Sequence, residues 1–145
     1  MGLNQEIEFC VKGKPQGKAR ARTFYDTKTN KMRSITPQQT KSYEDLIRWS
    51  YISAKGKYFG TSLVKVDIIA YYEIPQSFTK KKREQAINKE IYPTSKPDCD
   101  NIIKVVLDAL NGVAYYDDKQ VISVSCKKVY AQQGCVYVKL NILDI

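Results

Sequence analysis

The chain has 145 residues, 43% of them hydrophobic, and its apolar runs stay far below the roughly 20 residues of a bilayer span, so we expect one domain, residues 1–145, with its own core and no membrane segment. A formal charge of +9 calls for an anionic partner, either nucleic acid or an anionic membrane surface. Histidine is absent, which excludes a Ser-His-Asp triad, a histidine general base, a zinc-protease motif and a C2H2 finger.

Glu6 to Lys12 alternates polar and apolar residues and predicts a strand. Gly13 to Gly17, with Pro15, breaks it. The basic stretch Lys18 to Arg33 follows, with turn-like residues at Thr27 to Asn30, and reads as a short hairpin or a loop. Thr36-Pro37 predicts a helix start, with a capping hydroxyl and a proline in the first turn. Tyr43, Leu46, Ile47 and Tyr51 recur at helical spacing until Gly56. Ser62 to Ile74, rich in Val, Ile and Tyr, is the strongest predicted strand.

After Pro75, Ser77 or Thr79 can cap a second, very basic helix reaching about Glu90. Tyr92 to Pro97 is extended, because residues before proline are pushed out of the α region. A third helix runs from about Asp100 to Leu110, with Ile103, Val106, Leu107 and Leu110 as its apolar face and Asn111-Gly112 as left-handed cap residues. Val121 to Tyr130 and Cys135 to Leu143 read as two strands joined by a short turn at Gln132 to Gly134. The expected fold is α/β (α+β), a mixed or mostly antiparallel sheet of about four to five strands with about three helices.

The charge is concentrated. Lys12 to Arg33 holds eight basic residues against one acid, Asp26, a net +7 (8 − 1), and Lys80, Lys81, Lys82 and Arg83 form a second run. Such patches neutralise phosphates without regard to sequence, although lysine runs also serve as solvated surface. The four cysteines, Cys10, Cys99, Cys126 and Cys135, form no CxxC pair, which argues against a zinc or redox site and fits a reducing compartment. Met1 to Phe9 lacks the basic and apolar regions of a signal peptide, so a cytoplasmic location is expected.

The segment KPDCDNIIKVVLDALNGVAYYDDKQV, Lys96 to Val121, is the most informative. Asp98 and Asp100 flank the start of the third helix, where capping acids are favoured by the dipole. Lys104 lies one turn on, on the same face as Asp100. Asp117 and Asp118 follow after a connection long enough to return beside the helix start. Carboxylates converging without histidine make a hard oxygen site that suits magnesium, and a nearby lysine can neutralise charge developing on a phosphate. Capping plus a solvated turn is the other reading of the same spacing.

This segment resembles the signature of the RusA family of Holliday junction resolvases: D-x-D-N-x-x-K leading into a helix with D-A-L, then D-D-x-Q-[VI]. Weaker matches include G-K-P-Q-G-K-A-R-A-R and the I-P-x-S-x-[ST]-K-K-K-R stretch. The resemblance implies a small homodimeric endonuclease that binds four-way DNA junctions and nicks symmetric strands with Mg2+ or Mn2+, without an organic cofactor. It implies Asp98, Asp100, Lys104 and Asp118 as catalytic residues, with Asp98, Asp100 and Asp118 on the metal. Asp117 matches the neighbouring acid, as a supporting residue, and Asn101 and Asp108 match positions that orient the site or pair with Lys104. Lys18, Arg20, Arg22 and Lys80 to Arg83 are assigned to DNA backbone contacts. Two alternatives stay open at this point: a non-catalytic, architectural protein for branched DNA, and a nuclease for another branched or RNA substrate.

Overall fold

The computed structural model describes residues 5–19, 22–35 and 37–143, with Arg22 described by its backbone alone. The chain forms β1 (Gln5–Lys12), β2 (Arg22–Asp26), β3 (Lys31–Ile35), α1 (Gln38–Ser53), β4 (Leu63–Glu73), α2 (Lys80–Ile87), α3 (Cys99–Leu110), a 3-10 turn at Asp118–Gln120, β5 (Val121–Ala131) and β6 (Cys135–Leu143). The main sheet is mixed and runs β1-β6-β4-β5; β2 and β3 form a separate two-stranded sheet. This is the expected α+β class with three helices.

Alternation along the strands decides which face is covered. Val64, Val66, Ile68, Ala70 and Tyr72 of β4 are buried, as are Val136, Val138, Leu140 and Ile142 of β6 and Phe9 and Val11 of β1. Helices α1 and α3 pack on that face and join the same core through Tyr43, Ile47, Tyr51, Ile102, Val105, Val106, Ala109 and Leu110. The opposite face is polar: Glu6 pairs with Lys139 at 3.1 Å, and Ser125 Oγ donates to Asp67 Oδ1 at 2.6 Å. A period of two along a strand sorts polar from apolar residues in this way.

Several expectations shift on the structure. The turn Gln132 to Gly134 does not make β5 and β6 partners. It carries the chain across the end of β4, which pairs parallel with β5 and antiparallel with β6. The third helix buries Ile102, Val105, Val106, Ala109 and Leu110, and leaves Ile103 and Leu107 half-buried. Its apolar stripe is rotated from the expected one because the helix is wedged between α1 and β5 rather than laid on one flat surface. Leu46 is exposed on α1 while Tyr43, Ile47 and Tyr51 are buried. Pro37 stands at the N-cap of α1, one residue before the first turn; the capping hydroxyl expected of Thr36 lies outside the described residues. Thr79 caps α2 as expected, accepting from Lys82 N at 3.2 Å, but the helix stops at Ile87 because Lys89 turns to φ +58°. After α3, Gly112 takes a positive φ of 76°, whereas Asn111 is extended.

Candidate active site

The segment before the first acid pair is held by one side chain from each of two neighbouring strands, β4 and β5. Tyr72 OH donates to Pro97 O at 3.0 Å, and Lys128 Nζ donates to Ser95 O at 2.6 Å. Asp98 then takes the N-cap position of α3 with an extended backbone, φ −72° and ψ 157°, yet its carboxylate accepts no capping hydrogen bond. Asp100 lies in the first helical turn. Both acids are exposed. Asp98 is therefore not consumed by the structural role that its position offers, and both carboxylates face water at the positive end of a 12-residue helix.

The second acid pair divides differently. Asp117 caps the 3-10 turn: its side chain accepts from Lys119 N at 3.2 Å, while its own backbone N–H donates to Gln120 Oε1 at 3.0 Å, completing a capping box. Gln120 also donates from Nε2 to Gly60 O at 2.7 Å and to Ser62 O at 2.6 Å, which ties the turn to the entry of β4. The backbone N–H of Lys119 holds the Asp117 carboxyl below the usual carboxylate range. Asp118 is raised instead, first by burial and then by the Asp117 carboxyl beside it, with Asp108 adding and Lys104 opposing. Asp118 thus returns to the field of Lys104 and Asp108, along the helix rather than at its start.

Lys104 is oriented by a chain of ion pairs. Asp108 Oδ1 lies 3.3 Å from Lys104 Nζ, and Asp108 Oδ2 lies 3.3 Å from Lys18 Nζ. Lys18 Nζ also lies 3.2 Å from Glu44 Oε1. Glu44, only 7% exposed on α1, has Arg48 at 3.9 Å on its other oxygen, and Arg48 Nε donates to Ala109 O at 2.9 Å. The backbone reinforces the link: Lys18 N donates to Asn101 O at 3.0 Å and Ala19 N to Thr40 Oγ1 at 3.2 Å. Gly17 is needed here, since a Cβ would stand 2.8 Å from the Cβ atoms of both Pro97 and Asn101. The 13–19 segment is in this way clamped across the first turn of α3.

Asp98, Asp100 and Asp118 are hard oxygen donors, the chemistry that magnesium or manganese takes. Among the described residues no three acids or cysteines lie close enough together to bind one ion between them. One or two carboxylates suffice for magnesium when substrate phosphates and waters complete its shell, so the residues present fit an ion taken up with a phosphodiester. The four cysteines are free, and Cys99 Sγ lies 3.7 Å from Cys126 O.

A family model described as endodeoxyribonuclease RusA matches residues 12–141, a span holding both acid pairs, Lys104 and the clamp. The chain belongs to the RusA endodeoxyribonuclease family. "Uncharacterized protein YqaN" of Bacillus subtilis (strain 168) is similar to it, 32% identical over 137 residues that cover 93% of this chain and 95% of that protein.

Within this RusA-family member, the DNA contacts assigned from sequence separate into groups. Lys18 is spent on Glu44 and Asp108. Of the α2 run, Arg83 donates to Pro75 O at 3.2 Å and Lys82 stands over the Phe78 ring at 4.3 Å, while Lys80 and Lys81 are exposed. Arg20 and the side chain of Arg22 lie outside the described residues. Three residues with a part in the site were missed. Glu44 had a signal, a carboxylate inside the buried stripe of α1 that needs a cationic partner. Gln120 had one too, the Asp-x-x-Gln spacing of a capping box. Lys128 had none, because its partner Ser95 is distant in sequence.

Proposed function

We propose that this RusA-family endodeoxyribonuclease is a divalent-metal-dependent enzyme that resolves four-way DNA junctions as a homodimer. The observation that carries the reading is the open acid pair at the start of α3, with Lys104 fixed one turn away by Asp108. In this reading Asp98, Asp100 and Asp118 are the carboxylates that would hold Mg2+ or Mn2+, one or two of them to an ion, with substrate phosphate and water completing the shell. When bound, the ion supplies Lewis acidity and a water of lowered pKa. Water oxygen attacks phosphorus, one P–O ester bond breaks, and the leaving oxygen takes a proton. Lys104 places its ammonium where negative charge gathers on the phosphoryl oxygens. Asp108 sets the direction of that ammonium, and Asn101 holds the clamp through its carbonyl. A cleft of about 320 Å³, bordered by Lys14, Gln16, Thr40 and Lys96, lies beside the acid pair and offers the backbone a basic path.

The test compares Asp100→Asn with the unaltered protein on a synthetic four-way junction in magnesium. Cleavage is expected to fall by roughly three orders of magnitude with junction binding retained; wild-type cleavage by the variant would remove the site assignment. Two symmetric nicks call for two copies of the site about a twofold axis. Helix α1 turns Leu46, Trp49 and Ile52 outward as an exposed apolar stripe, which we assign to the contact with a second copy. Trp49→Glu is expected to sediment as a monomer where the unaltered chain sediments as a dimer, and a dimeric variant would exclude this face.

A further inference from the structure

Among the described residues the hairpin of β2 and β3 forms its own two-stranded sheet, not hydrogen-bonded to the main one. It nonetheless carries large apolar side chains in the open: Phe24 is 41% exposed, Tyr25 55%, Met32 64% and Ile35 50%. A lone two-stranded ribbon is marginal in water, so these side chains contribute little to folding where they stand. The register sets Phe24 opposite Arg33 and Tyr25 opposite Met32, which places one aromatic ring on each face of the ribbon.

The tip is well defined. Lys28 N donates to Asp26 Oδ1 at 2.9 Å, Tyr25 OH donates to Asn30 Oδ1 at 3.0 Å, and Asn30 adopts φ +53° to close the turn. Arg33 Nε pairs with Asp26 Oδ2 at 3.1 Å, which neutralises the single acid and leaves Lys28 and Lys31 as exposed charges. An apolar protein partner would not be matched to that charge, whereas DNA supplies both phosphates for the lysines and flat faces for the rings. The feet of the ribbon are also informative. One leaves from Lys18 and Ala19, clamped to Asn101 and Thr40, and the other enters α1 at Pro37. Its described flanks, Ala19 and Pro37, thus lie on the clamp over α3 and at the start of α1.

We propose that the β2–β3 hairpin is the element that distinguishes branched from linear DNA: Phe24 and Tyr25 stack on bases left exposed at the branch point while Lys28 and Lys31 hold the flanking phosphates. This rests on the junction reading above. In a linear duplex every base is already stacked, so the rings gain nothing there. At a branch they cover base faces that water would otherwise meet, a gain of the kind that aromatic platforms draw from single strands.

The experiment measures binding of the full-length protein in EDTA to a four-way junction and to a linear duplex of equal length, across a salt series. The double variant Phe24→Ser/Tyr25→Ser is expected to lose roughly 10- to 100-fold on the junction, with duplex affinity and salt slope unchanged. 2-Aminopurine placed at the branch should be quenched by the unaltered protein and not by the variant. Lys28→Gln/Lys31→Gln should instead lower the salt slope by about 2 on both DNAs. Tyr25→Ser also removes the bond to Asn30, so Phe24→Ser alone, which leaves the tip bonds in place, should lose junction affinity in the same direction, which separates recognition from order in the hairpin. A variant that keeps the full junction preference, or loses equally on both DNAs, overturns the hairpin's role alone. An unaltered protein with no junction preference overturns the junction reading and this proposal together.

Discussion

The α1–α3 interface and helix α2 both hold several cations, yet they use them in opposite ways. Between α1 and α3, Lys18, Arg48 and Lys104 are shared out among Glu44, Asp45 and Asp108 in a chain of contacts from 2.7 to 3.9 Å. On α2, Lys80 and Lys81 point into water. From sequence, Lys18 and the Lys80 to Arg83 run carried the same expectation, contact with the DNA backbone. The difference teaches that a cation's role follows from what its neighbours leave unpaired: the first set gives geometry to the site, and the second is available to bind phosphate.

The strongest test of this contrast is to cut the interior chain. Asp108→Ala leaves Lys18 with Glu44 alone and releases Lys104, and should cost about 1–3 kcal/mol in chemical denaturation, below the value for a fully buried pair because water reaches these groups and one partner remains. Cleavage should fall by roughly 100-fold, the scale of a misplaced catalytic group. Lys18→Met should cost about 1–3 kcal/mol and roughly tenfold in cleavage, leave the salt slope of DNA binding unchanged, and be largely rescued by Lys18→Arg. A slope lowered by about 1 would return Lys18 to the phosphate contacts. Next in size, Lys80→Gln/Lys81→Gln should lower that slope by nearly 2 and leave stability within about 0.5 kcal/mol.

The smallest effect concerns pH. Burial and the neighbouring Asp117 raise the Asp118 carboxyl, so its charged form is completed at a higher pH than for an ordinary aspartate. If cleavage needs that carboxylate, activity declines as pH falls through the raised value. Asp117→Asn keeps a capping side chain but removes a negative charge, so the acidic limb of the pH–rate profile should move to lower pH. A limb that stays in place would mean that Asp118 does not set it.

The elements were largely legible, because periodicity is local. Glu6 to Lys12, Ser62 to Ile74 and the third helix carry their own patterns, and the structure places β1, β4 and α3 there. What escaped depends on distant residues. The separation of β5 from β6 is set by β4, which competes for both edges. The rotation of the α3 stripe is set by α1 and β5. In the site, the residue types of the acid pairs were readable, and the resemblance set Asp118 apart from Asp117, but the cap that Asp117 makes on the 3-10 turn was not. Lys18 was taken for a surface cation because Glu44 and Asp108 reach it only in three dimensions.

The position of β4 has a further consequence for how such an enzyme is made. Val64 pairs with both Val121 and Ile142, so the strand in the middle of the sheet is the partner of the two strands that come last in chain order. β1 likewise has no neighbour in the main sheet until β6 arrives. A nascent chain emerging from the ribosome can form α3 and its acids early, but the platform beneath them closes only with the final strand. Contacts so remote in sequence favour late, all-at-once assembly. The sheet under α3 is thus complete only once β6 has paired with both β4 and β1.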